Sequence, residues 1–120
     1  MKYMILTFGD QATMLEQRTV TWVKDMIQFM QNLIVDLKTS GELVTAEGLA
    51  DPTKAKTVRF QSGMPVATDG PFAEAKEALA GFWIVDVESE ARALAIASRI
   101  VDFIHCPIEV RQVMDAPPEL

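Results

Sequence analysis

Apolar positions recur along this chain with two different periods, and the switches between them mark the elements. Residues Lys2-Tyr3-Met4-Ile5-Leu6-Thr7-Phe8 are apolar on both alternating faces, and Gly9-Asp10 ends the run. Such a run predicts a central strand whose two sheet faces are both covered. Trp22, Val23, Met26, Ile27, Met30, Leu33, Ile34 and Leu37 then recur every three or four residues, which places them on one broad helical stripe. Two starts are open for this helix. Thr13 and Glu16 have the spacing of a capping box, and Thr19 or Thr21 offers a later start. Lys38 suits the negative end of the helix dipole, and Gly41 is a good stop. The stripe of Met and aromatic residues reads as core packing in preference to the lining of a cofactor pocket.

Shorter segments follow. Glu42 to Leu49 predicts a second strand, ended by Asp51-Pro52. Thr57-Val58-Arg59-Phe60 alternates as a half-exposed strand does, Ser62-Gly63 is a hairpin turn, and Met64 to Thr68 returns from it. Leu79 to Val87 is the strongest strand signal, rich in aromatic and β-branched residues on both faces. Ser89 can cap the next helix, with Glu88 and Glu90 well placed near its start. Ala91, Leu94, Ala95, Ser98 and Val101 are its predicted buried stripe. Ile108 to Val113 is a last alternating strand, and residues 115–120 form a tail beyond a single domain at 1–114. The order is an α+β, ferredoxin-like βαββαβ plan with a hairpin inserted in its middle.

Composition narrows the classes. A chain of 120 residues, 49% hydrophobic and 23% charged, is one globular domain. A net charge of −6 argues against a nucleic-acid backbone as partner. The single cysteine, Cys106, forms no intrachain disulfide and suits the reducing cytoplasm. The apolar run at Tyr3–Phe8 is too short to cross a membrane. No Walker loop, GxGxxG or HExxH occurs, and His105-Cys106 is too little for a metal site, so no cofactor is expected. Two strands apolar on both faces need a cover that two helices on one face do not supply. A second copy of the same sheet would supply it, so a homodimer with sheets packed face to face is expected.

The segment richest in polar chemistry is Thr68-Asp69-Gly70-Pro71-Phe72-Ala73-Glu74-Ala75-Lys76-Glu77. It resembles the signature of the DGPF group of YCII-related proteins. Met1-Lys2-Tyr3-Met4, Gly41-Glu42-Leu43, Glu47-Gly48-Leu49, Gly81-Phe82 and Glu109-Val110-Arg111 are similar to other parts of the group's pattern. The resemblance implies a dimeric α/β barrel of ferredoxin-like subunits. It implies little about activity: one relative in the broader superfamily removes chloride from a chlorinated hydroxyquinol, and some members are encoded beside sigma factors. A His–Asp pair with the histidine on the first helix has been suggested for the broader group. Here Thr19 to Leu37 contains no histidine, and the one histidine is His105. Ala75 and Gln112 stand where a small hydroxyl residue and a proline are common.

Gly70 permits a backbone closed to other residues, and Pro71 fixes the next φ, so the segment is a rigid bend. Asp69 reads as an Asx-turn residue bonding the backbone ahead of it, or as a carboxylate at a pocket mouth acting as acid–base catalyst. Phe72 reads first as an anchor in the core and second as a ring for a ligand. Lys76 and Arg111 are candidates to hold an anion or phenolate, with Glu77 pairing Lys76. Arg59 and Arg111 each project from a strand. The expected function is a small-molecule-binding dimer, whose enzymatic form would act without a cofactor on a hydroxylated or aromatic compound. The alternative is a noncatalytic regulatory or protein-binding module linked to a sigma factor.

Overall fold

A computed structural model describes residues 1–72 and 77–119. Four strands form one antiparallel sheet: β1 (Lys2–Phe8), β2 (Leu43–Gly48), β5 (Leu79–Asp86) and β6 (Glu109–Gln112), in the order β2-β5-β1-β6. The two strands apolar on both faces are therefore the two central ones. A short helix α1 (Gln11–Gln17) and the long helix α2 (Val20–Ser40) follow β1, and α3 (Glu90–Ile104) joins β5 to β6. The remaining strands, β3 (Lys56–Gln61) and β4 (Met64–Asp69), make a separate two-stranded sheet. This α+β architecture is compatible with the ferredoxin-like plan.

Local chemistry sets the boundaries. The Thr13–Glu16 capping box does not form. Asp10 caps α1 instead, accepting from Thr13 N at 2.5 Å and Thr13 Oγ1 at 3.0 Å. The later start holds for the long helix, whose first turn is capped by Thr19 Oγ1 accepting from Trp22 N at 3.1 Å. Gly41 ends α2 at φ 80°, where a side chain would be strained. Ser89 caps α3 by accepting from Arg92 N at 3.2 Å. Ser62 and Gly63, both at positive φ, turn the hairpin.

The core lies on one face of the four-stranded sheet. Tyr3, Ile5, Trp83 and Val85 meet Leu33 and Leu37 of α2 and Ala93, Ile96, Ala97 and Ile100 of α3. The predicted stripe of α3 is therefore corrected. Ala91, Leu94, Ala95 and Ser98 are exposed and Val101 is half-buried. Leu94 and its neighbours have the same spacing as the true stripe, so periodicity alone does not choose between the faces. The two buried isoleucines remove more apolar surface from water, and they take the sheet. A bidentate pair ties α3 to the loop after α2: Arg92 donates from Nε to Glu42 Oε2 at 2.9 Å and from its terminal amine to Oε1 at 2.8 Å.

The opposite sheet face carries Met4, Leu6, Phe82 and Ile84, half-buried, with Glu109 and Arg111 on the β6 side. The core residues of α2 and α3 lie on the other face. No helix among the described residues is long and apolar enough to cross a membrane.

Candidate functional site

At one end of α2 the helix stands away from the sheet, and a cleft of about 820 Å³ opens between them. Its floor follows from two glycines. Gly48 of β2 pairs with Gly81 of β5, so the sheet presents no side chain there. Gly81 is required by its surroundings, because a Cβ would stand 2.9 Å from the carbonyl oxygen of Glu47. Thr7 borders the floor and donates to Gly81 O at 3.2 Å.

The wall is α2 itself. Trp22, Met26, Met30 and Ile34 face the cleft, with Met14, Gln17 and Arg18 from α1 and the turn after it. Half of the stripe read as core is therefore cleft lining, while Leu33 and Leu37, further along the helix, are fully packed. Arg18 closes the rim. It donates to Ile104 O at 3.0 Å and stacks its guanidinium 4.4 Å from the centre of the Trp22 ring. Cys106, beyond α3, also borders the cleft and donates to Ile104 O at 3.4 Å. Trp83 also lines the cleft. Its indole N–H is buried and has no hydrogen-bond partner among the described residues.

The polar groups here suit binding more than proton transfer. Both carboxylate oxygens of Asp10 are engaged by Thr13 as the α1 cap. Arg18 is held by the Ile104 carbonyl. No group of three or more His, Cys, Asp or Glu residues among those described could hold a metal. His105 closes α3 in the left-handed conformation at φ 56°.

The residues singled out around the DGPF turn lie elsewhere. Asp69 ends β4 with an exposed side chain, ion-paired across the hairpin with Lys56. Strand register brings that lysine opposite Asp69. Gly70 is at φ 100°, as a turn there requires; its N donates to Ala55 O at 2.9 Å, and its carbonyl accepts from Thr57 Oγ1 at 2.8 Å. Phe72 is 85% exposed, which corrects its reading as a core anchor. The hairpin does not fold back onto the body, so no core lies within its reach, and its ring meets Arg59 at 5.6 Å. Glu77 is exposed. Arg111 lies on the open sheet face, 2.5 Å from Glu109. Lys76 lies outside the described residues. None of Asp69, Phe72, Glu77 or Arg111 lines the cleft. The glycine pair and the Met–Trp stripe were both visible in the sequence, but the pairing register that puts them opposite one another was not.

The fold defines a small α+β protein with a mainly apolar cleft beside an antiparallel sheet. The chain belongs to the YCII-related family, whose domain matches residues 1–116. It is also 32% identical over 104 residues to an uncharacterised protein of Rhizobium meliloti (strain 1021), covering 81% of this chain and 77% of that one.

Proposed function

We propose that this protein binds a small aromatic or hydroxylated compound in the cleft between α2 and the sheet. The observation that carries this reading is the composition of the wall. Two tryptophans and three methionines surround a space within the size range of ordinary ligand sites, roughly 300–1,000 Å³. Flat rings and polarisable thioethers favour an aromatic guest. The side-chain amide of Gln17 and the hydroxyl of Thr7 supply a few polar contacts for a hydroxyl group. The engaged state of Asp10 favours binding over turnover, so a noncatalytic sensing role, including one beside a sigma factor, fits the same site. Catalysis by Asp69, with Lys76, Glu77, Phe72 and Arg111 as ligand contacts, would use a different surface, because Asp69, Phe72, Glu77 and Arg111 do not line the cleft. A homodimer formed through the open sheet face is part of this proposal. It is supported by the half-buried apolar row Met4, Leu6, Phe82 and Ile84 on that face.

The test uses the protein's own reporters, because its two tryptophans both line the cleft. Titration with phenol, catechol and 2-naphthol should shift or quench tryptophan emission with saturation. Met30→Trp should fill the space and abolish the response while the circular dichroism is kept. Emission that stays unchanged up to millimolar ligand, or hits that still bind after Met30→Trp, would reject the cleft as the site.

A further inference from the structure

Strand β5 runs from the bare floor of the cleft into the packed core, and one residue stands at the boundary. Gly81, Trp83 and Val85 alternate onto the helical face of the sheet. Gly81 belongs to the cleft floor, and Val85 is fully buried. Trp83, between them, both lines the cleft and belongs to the core cluster. Register flanks it with Ile5 on β1 and Ala46 on β2, whose side chains carry no polar atom. Trp83 is 7% exposed, and among the described residues its indole N–H is the one buried side-chain polar group without a hydrogen-bond partner. Buried tryptophan N–H groups are ordinarily paired, and an unmatched buried donor is costly. Packing alone does not need that donor, since a phenylalanine ring would meet the same apolar neighbours without it.

We infer that the Trp83 N–H is a specificity-determining donor of the cleft, and that the compound it selects is an aromatic carbonyl compound whose oxygen accepts from it. This rests on the cleft reading proposed above and names the class of guest within it. The indole ring is shared by cleft and core, so a guest seated in the cleft lies against it. Met30 and Ala46 also line the cleft and pack against the same core cluster. A methionine side chain is unbranched and turns aside for a guest at low cost, and an alanine adds little bulk. Other donors of the cleft are engaged within the protein. The Thr7 hydroxyl gives its proton to Gly81 O, and Ile104 O holds Arg18 at the rim. The choice of a carbonyl follows from the apolar neighbours. A carbonyl oxygen accepts without bringing a donor of its own, whereas a hydroxyl beside Ile5 and Ala46 would bring a proton that needs a further partner.

The test compares 2-acetylnaphthalene with 2-isopropenylnaphthalene, which share a shape and differ by a carbonyl oxygen against a methylene. The ketone should bind at least about fivefold more tightly by calorimetry. The protein's two tryptophans give two indole N–H signals in ¹H–¹⁵N spectra, assigned with Trp22→Phe. The Trp83 signal should lie further downfield with the ketone than with the alkene. In the Trp22→Phe background, benzothienylalanine supplied in place of tryptophan enters at position 83 alone. It keeps the ring volume and puts sulfur where the N–H was. The affinity ratio should then fall to about one while both compounds still bind. If neither compound binds, or both still bind after Met30→Trp, the cleft reading falls and this inference falls with it. If both bind the cleft equally, or the ketone keeps its advantage without the N–H, or the Trp83 signal ignores the carbonyl, the donor role is overturned and the cleft stands.

Discussion

The two ends of α2 carry the same kind of residue and meet different fates. Toward its C-terminus Leu33 and Leu37 are fully buried against Tyr3, Ile5 and Val85. Toward its N-terminus Trp22 and Met26 border open space. The difference lies in the sheet beneath. At the closed end each strand offers a large side chain, and the Glu42–Arg92 pair latches the adjoining loop to α3. At the open end the floor is Gly48 beside Gly81, and Arg18 holds the rim through a carbonyl. Amphipathic periodicity commits a helix to face a sheet, but the volume on the sheet decides whether it packs or makes a cleft.

That contrast can be broken at either end. Leu33→Ala should cost about 2–5 kcal/mol, measured by urea unfolding, because the fully packed end cannot collapse around the lost volume. A loss under about 1 kcal/mol would mean that the closed end is not tightly packed. Gly81→Ala should cost roughly 1–3 kcal/mol, since its methyl meets the Glu47 carbonyl and β2 must shift. Cleft binding should weaken with it, read by the same fluorescence titration.

The latch of the closed end should respond to acid. Arg92's hydrogen bonds lower the Glu42 carboxyl from its ordinary 4.5 to about 2; burial opposes this, and the Ser40 hydroxyl adds to it. A depressed carboxylate contributes stability that is full above pH 4.5 and is lost as pH falls toward 2. Because the Arg92 side chain is 36% exposed, solvent screening leaves about 1 kcal/mol. Glu42→Gln should flatten that part of the stability–pH curve, and an unchanged curve would remove the latch from the account. The smallest effect belongs to the open end. Met26→Ala should change stability by under about 1 kcal/mol, because its side chain is only half-buried and borders the cleft. Yet it should alter ligand affinity, a split that a packed core position would not show.

Much of the fold was legible because it is written in short-range chemistry. Gly41 and Ser89 stop and start helices through bonds to residues within one turn, and Ser62-Gly63 closes a hairpin through its own dihedrals. The double-faced apolar runs marked β1 and β5 as central strands. The site was less legible. Asp69-Gly70-Pro71-Phe72 drew the reading because its residue types are chemically rich, whereas the cleft is made of methionines, tryptophans and the absence of side chains at two glycines.

The sequence by itself determined the order of the strands and the two long helices, the stop at Gly41, the start at Ser89, the Ser62-Gly63 turn and the family, since each depends on neighbours along the chain or on residue identity. Only the tertiary structure decided which stripe of α3 is buried, that Lys56 faces Asp69, that Phe72 has no core to enter, and that Gly48 meets Gly81 beneath α2. Each of these depends on strand register and on the volumes brought face to face by distant segments, and no local pattern encodes that meeting.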